Sequence, residues 1–106
     1  FSPVYGFDIP TDVEKAGFAK DFIECMQAAK KAYSVIVSEF PKEAQYILPM
    51  AFKKRVLFKA NLRELFHFIK LRSTKHGHAS YVKIARDMHK EMVKVHPYLA
   101  GFIDVG

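Results

Sequence analysis

At 106 residues and a net charge of +6, the chain is long enough for one modest core and too short for two. Half of its residues are hydrophobic and 26% are charged, which excludes a disordered or fibrous protein, and no apolar stretch approaches the roughly 20 residues of a membrane span. The positive balance favours anionic partners: nucleic acid, an acidic membrane surface or phosphorylated small molecules.

The opening Phe1-Ser2-Pro3-Val4-Tyr5-Gly6 has neither an initiator Met nor the basic start and apolar run of a secretion signal, so an upstream segment is expected to have been removed. Residues 1–10 then read as an extended arm rich in aromatics and proline. Thr11 and Glu14 have capping-box spacing, with hydroxyl and carboxylate each satisfying a backbone donor at a helix start. Behind them Phe18, Phe22, Met26, Ala29, Tyr33, Ile36 and Phe40 recur every three or four residues, which predicts one long amphipathic helix. Within it, Cys25 sits between apolar neighbours and reads as a small buried hydrophobe rather than an activated nucleophile. Being the one cysteine, it cannot form an internal disulfide, which suits a reducing, cytoplasmic setting.

Pro41 ends or kinks that helix and can open a short one to about Leu48, with Glu43 in its first turn. After Pro49, the apolar run Val56, Leu57 and Phe58 predicts one strand, although so short a run also fits a helical segment. Asn61 and Glu64 repeat the capping logic ahead of Leu65, Phe66, Phe68 and Ile69, which predicts a helix to about Thr74. Gly77 marks a break before a last helix with the stripe Tyr81, Ile84, Ala85, Met88, Met92 and Val95, closed by Pro97. The fold class is α+β: a mostly helical unit of three or four helices plus about one strand, all within a single domain over 1–106.

Arg72 breaks the pattern. It follows Leu65, Phe68 and Ile69 at helical spacing, which places a guanidinium on the face expected to be buried. Either it bends to solvent or pairs with a carboxylate such as Glu64 or Asp87, or it points into a pocket and holds an anion by paired hydrogen bonds. Asn61 and Arg63 open the same helix, whose free donors and positive dipole end suit phosphate or an electron-rich ring; a cap alone also explains Asn61.

His67, His76 and His78 lack the i, i+4 pairing and acidic neighbours of a helical metal site, so no metal is assigned. His89 and His96 read as solvated side chains among lysines. Lys53-Lys54-Arg55 beside Phe52 and Phe58 offers charge and stacking for nucleic acid, against the simpler reading of a solvated basic turn.

Segment 47–79 resembles the carboxyl-terminal signature of flavin-dependent thymidylate synthases: an RxxLP element, a strand, an N-x-R helix entry, then LR and a nearby His. Leu48-Pro49, Asn61-Leu62-Arg63, Leu71-Arg72 and His76 fall at matching separations, and the likeness extends over nearly the whole chain. It implies that Asn61, Leu62, Arg63 and His67 contact FAD, and that Arg72 binds deoxyuridylate (dUMP) and favours ionisation of its ring. The implied reaction is reductive methylation of dUMP to thymidylate, with methylenetetrahydrofolate as carbon donor and NADPH as hydride source.

Two departures stand out. The family's amino-terminal motif RHRxxSxNExSxRY is absent, so this chain resembles only the carboxyl-terminal half and would complete a larger helix-and-sheet domain that self-associates as a homotetramer. The arginine of RxxLP is Gln45 here, which leaves the substrate position at 45 without its cation, and His78 replaces the usual Gln. A degenerate, noncatalytic domain of the same fold is the alternative, with a small basic nucleic-acid-binding module behind it.

Overall fold

The computed structural model describes residues 1–106 as two compact units, Phe1–Leu57 and Phe58–Gly106. The chain is mostly helical, and its one strand-like pairing is the antiparallel bridge between Phe7 and Phe52.

In the first unit the long helix expected from Thr11 is two helices, α1 (Thr11–Lys15) and α2 (Ala19–Ile36). The break falls at Gly17, whose φ of +81° lies in the left-handed region that glycine enters without steric cost. The expected capping box does not form: Pro10 is the cap residue, Thr11 lies inside the first turn, and no side chain bonds the helix start. The helix also ends before Phe40, in turns over 37–39, so Phe18 and Phe40 at the two ends of the apolar stripe are exposed.

The middle of that stripe makes the core. Phe22, Met26, Ala29 and Tyr33 share one face of α2 and pack with Leu48, Phe52 and Phe7. The Phe7 ring meets Phe22 and Phe52 edge-on at 6.0 and 5.8 Å, a favoured arrangement of ring quadrupoles. Lys53 N–H donates to Gly6 O at 2.8 Å and ties the amino-terminal arm to this core. The short helix expected up to Leu48 is turns followed by a 3₁₀ turn, Ala44–Ile47. Cys25 is exposed, not buried, because it directly precedes Met26 and so points about 100° away from the core face.

The second unit holds α3 (Leu62–Arg72), α4 (Ala79–Val95) and α5 (Pro97–Ala100). No strand forms over 56–58. Val56 and Leu57 are exposed, and a strand without a paired neighbour leaves its backbone groups to water. Phe58 instead packs its ring against Phe68, with centroids 5.4 Å apart and planes tilted by 40°.

Ile69 of α3, Met92 of α4, Ala100 of α5 and Ile103 form the core of this unit, with Leu62, Leu65, Phe66, Phe68, Met88 and Val105 packed around them. Ile69 is fully buried, which contributes roughly 1.5–3 kcal/mol. Pro97 ends α4 and opens α5, its fixed φ and missing N–H suiting a first helical position.

Candidate functional site

The candidate residues gather on α3. Asn61 caps it as expected: its Oδ1 accepts from Glu64 N–H at 2.9 Å. Leu65 N–H bonds Asn61 O, so the amides of Leu62 and Arg63 at the helix start retain no intrahelical acceptor and point outward. The Leu62 side chain packs on the core, which leaves its backbone as the part open to a ligand. Arg63 and His67 are exposed, four residues apart on one face, and neither meets a carboxylate. Two outward amides, the positive dipole end, a guanidinium and an imidazole form a donor set that fits an electron-rich, phosphate-bearing cofactor such as a flavin dinucleotide.

Arg72 ends the same helix and corrects the expectation of a charge on the buried face. The guanidinium is exposed, and the buried stripe continues from Ile69 to Ser73, which is wholly buried four residues on. Position 72 lies about 100° off that line. Arg72 pairs with neither Glu64 nor Asp87; its Cζ lies 5.6 Å from the centroid of the Tyr81 ring. Asp87 is engaged by Lys83 and Lys90 at 2.8 and 3.1 Å. The hydrogen bond from Lys83, then that from Lys90, holds its carboxyl below the ordinary carboxylate value.

The remaining candidates belong to other elements. Gln45 is half-buried in the 3₁₀ turn of the first unit, where its amide donates to Lys42 O at 2.9 Å. His78 caps α4 through Nδ1, 2.7 Å from Ser80 Oγ. No three His, Cys, Asp or Glu side chains converge on a metal-sized site. In the basic cluster Phe52 is buried, Lys53 pairs with Asp8 at 3.0 Å and Arg55 stacks on Tyr5 at 5.1 Å. An open cavity of about 320 Å³ lies beside it, lined by Phe1, Ser2, Tyr5 and the three cations.

Four residues have contacts that the sequence reading did not anticipate. His89 is half-buried, not solvated, and its Nε2 donates to Ala100 O at 3.1 Å, which fixes the proton on Nε2. Arg86 donates to Gly106 O at 2.6 Å, while Ser73 Oγ accepts from Gly106 N–H at 3.2 Å. Tyr81, expected in the core stripe, is exposed, with the Arg72 guanidinium over its ring. The signal for Ser73 is present in its spacing from Ile69; the other three depend on contacts distant in sequence.

The family profile described as thymidylate synthase complementing protein matches residues 3–98. The chain belongs to that family. Among its relatives are a UPF0159 protein of Chlamydia muridarum, 42% identical over 92% of this chain and 18% of that protein, and the flavin-dependent thymidylate synthase of Saccharolobus solfataricus, 33% identical over 86% of this chain and 35% of that protein. The flavin-dependent thymidylate synthase of Sulfurisphaera tokodaii is 31% identical over 89% of this chain and 37% of its own length. The chain thus spans about a fifth of the length of the UPF0159 relatives it matches. No solved structure matches the chain. No helix is long and apolar enough to cross a membrane.

Proposed function

We propose that this chain is the carboxyl-terminal part of a thymidylate synthase complementing protein that converts dUMP to thymidylate, with methylenetetrahydrofolate as carbon donor and NADPH as reductant. The observation that carries the reading is the entrance of α3, where Asn61 holds the turn while Leu62 N–H, Arg63 and His67 remain available, in a chain matched by the family over residues 3–98. Bound FAD supplies the hydride-carrying chemistry, so the protein's part is binding, orientation and polarisation.

In this reading Arg63 and His67 bind and orient the flavin beside the helix start. Arg72 lies against the pyrimidine of dUMP and stabilises the negative charge that develops there, an effect that grows where water is excluded. Arg63 and Arg72 point to opposite sides of α3, so a site that uses both draws them from different copies, which supports self-association as a homotetramer. The chain completes a larger helix-and-sheet domain whose other half supplies the remaining contacts, in a cytoplasmic enzyme.

Gln45 favours the second reading, a noncatalytic domain of the same fold. Its amide is already bonded to Lys42 O and supplies no cation for a nucleotide phosphate. Titration of the full-length protein with FAD, followed by visible absorbance, separates the two. Binding that is lost in Arg63→Ala supports the enzyme, and an assembly that takes up no flavin supports the noncatalytic domain. A nucleic-acid module has weaker support, since burial of Phe52 removes one of its two expected stacking rings.

A further inference from the structure

We propose that Tyr81 is a positioning residue for Arg72, held in place by a space that only glycine at position 77 leaves open. The proposal rests on the reading of Arg72 as the group that meets the substrate anion.

Arg72 is the last residue of α3 and is exposed, with no carboxylate in reach to fix it. A long side chain in that setting samples many rotamers, and ordering it on binding lowers affinity. A carboxylate partner would fix it but would also occupy its N–H donors and neutralise its charge. The Tyr81 ring, 5.6 Å away, holds the guanidinium by its flat face instead. Stacking leaves the five N–H donors at the rim of the plane free for an anion, and leaves the charge intact.

The ring is itself confined. Tyr81 lies in the first turn of α4, whose start is set by His78 at the cap. The ring also abuts Gly77, which the bond from Gly77 N–H to Thr74 O holds in the connecting turn. A Cβ at position 77 would stand 2.5 Å from Tyr81 Cε2 and 2.7 Å from Oη, closer than real Cβ contacts come. Gly77 does not have a positive φ, so the need for glycine there is one of room rather than of backbone conformation. The Tyr81 ring thus meets both a glycine and a cation around the turn from α3 to α4.

The test uses the full-length protein with dUMP as the varied substrate. Tyr81→Leu is expected to raise KM for dUMP about two- to five-fold while flavin content stays unchanged. Tyr81→Phe restores the wild-type value, because the ring and not the hydroxyl holds the guanidinium. Gly77→Ala reproduces Tyr81→Leu, because the new Cβ displaces the end of a flexible side chain and not the backbone. Independently of activity, NMR of arginine-labelled protein reads the stack: Arg72 Hδ and Nε–H resonances shift upfield in the wild type and in Tyr81→Phe, and lose that shift in Tyr81→Leu. An unchanged KM in Tyr81→Leu alongside a defective Arg72→Ala overturns the proposal, as does equal loss in Tyr81→Phe and Tyr81→Leu. If Arg72→Ala itself leaves turnover and KM untouched, the substrate role of Arg72 falls and the positioning role falls with it, while the resonance shifts still report whether the stack exists.

Discussion

Arg63 and Arg72 stand nine residues apart on α3, half a turn out of phase and about 14 Å apart along the axis, so one helix presents two cations to opposite sides. A ligand of ordinary size held in one copy meets one of them. Mixing Arg63→Ala and Arg72→Ala forms of the full-length protein under subunit exchange is therefore expected to recover turnover at up to about a quarter of sites, each assembled from two intact halves. No recovery would mean that one copy supplies both arginines to each site, and would discard the site shared between copies.

Removing Arg72 separates binding from chemistry. Arg72→Ala in the full-length protein is expected to keep its flavin and lose about 10²- to 10³-fold in kcat, the scale for one oriented donor beside a developing charge. Steady-state kinetics together with the flavin absorbance spectrum check both halves of that statement.

Asn61 contributes to the fold before it contributes to any ligand. Asn61→Ala leaves Glu64 N–H without its acceptor and is expected to cost about 1 kcal/mol, read as a lower denaturation midpoint with unchanged slope. Asn61→Asp keeps the cap, so a stability loss of the same size in that variant would remove the capping role.

Ile69 carries the second unit's core. Ile69→Ala is expected to destabilise by about 2–5 kcal/mol, because the side chain is fully buried and its removal leaves a cavity among Met92, Ala100 and Ile103. Cys25→Ala, at an exposed position, is expected to change the denaturation midpoint little.

Asp87 sets an acid-side limit. Its carboxyl titrates below the ordinary value in the folded chain because Lys83 and then Lys90 donate to it. A lowered folded pKa means that its stabilising contribution is fully present above the unfolded value and is lost as pH falls through the folded one. Carboxyl NMR titration is expected to show the Asp87 pKa rising toward its ordinary value in Lys83→Met, and no rise would discard the attributed cause.

What local rules cover was legible in the sequence. The Asn61 cap, the span of α3, the break near Gly77 and the stop at Pro97 each follow from a few neighbouring residues, and the structure contains all of them. The long first helix failed locally too: its apolar stripe is real, but periodicity is blind to Gly17, which takes a left-handed φ in mid-run. The strand at 56–58 failed for another reason, since pairing is a property of two segments and one segment's composition cannot supply it.

The sequence alone determined which residue types stand at the start of α3 and that an arginine ends it, because helix entry and spacing are set within a few residues. Only tertiary structure decided where Arg72 points. The buried line runs through Ile69 to Ser73, and a rotation of about 100° places the guanidinium in solvent against Tyr81, since it is the packing of neighbouring elements that selects which stripe of a helix is covered.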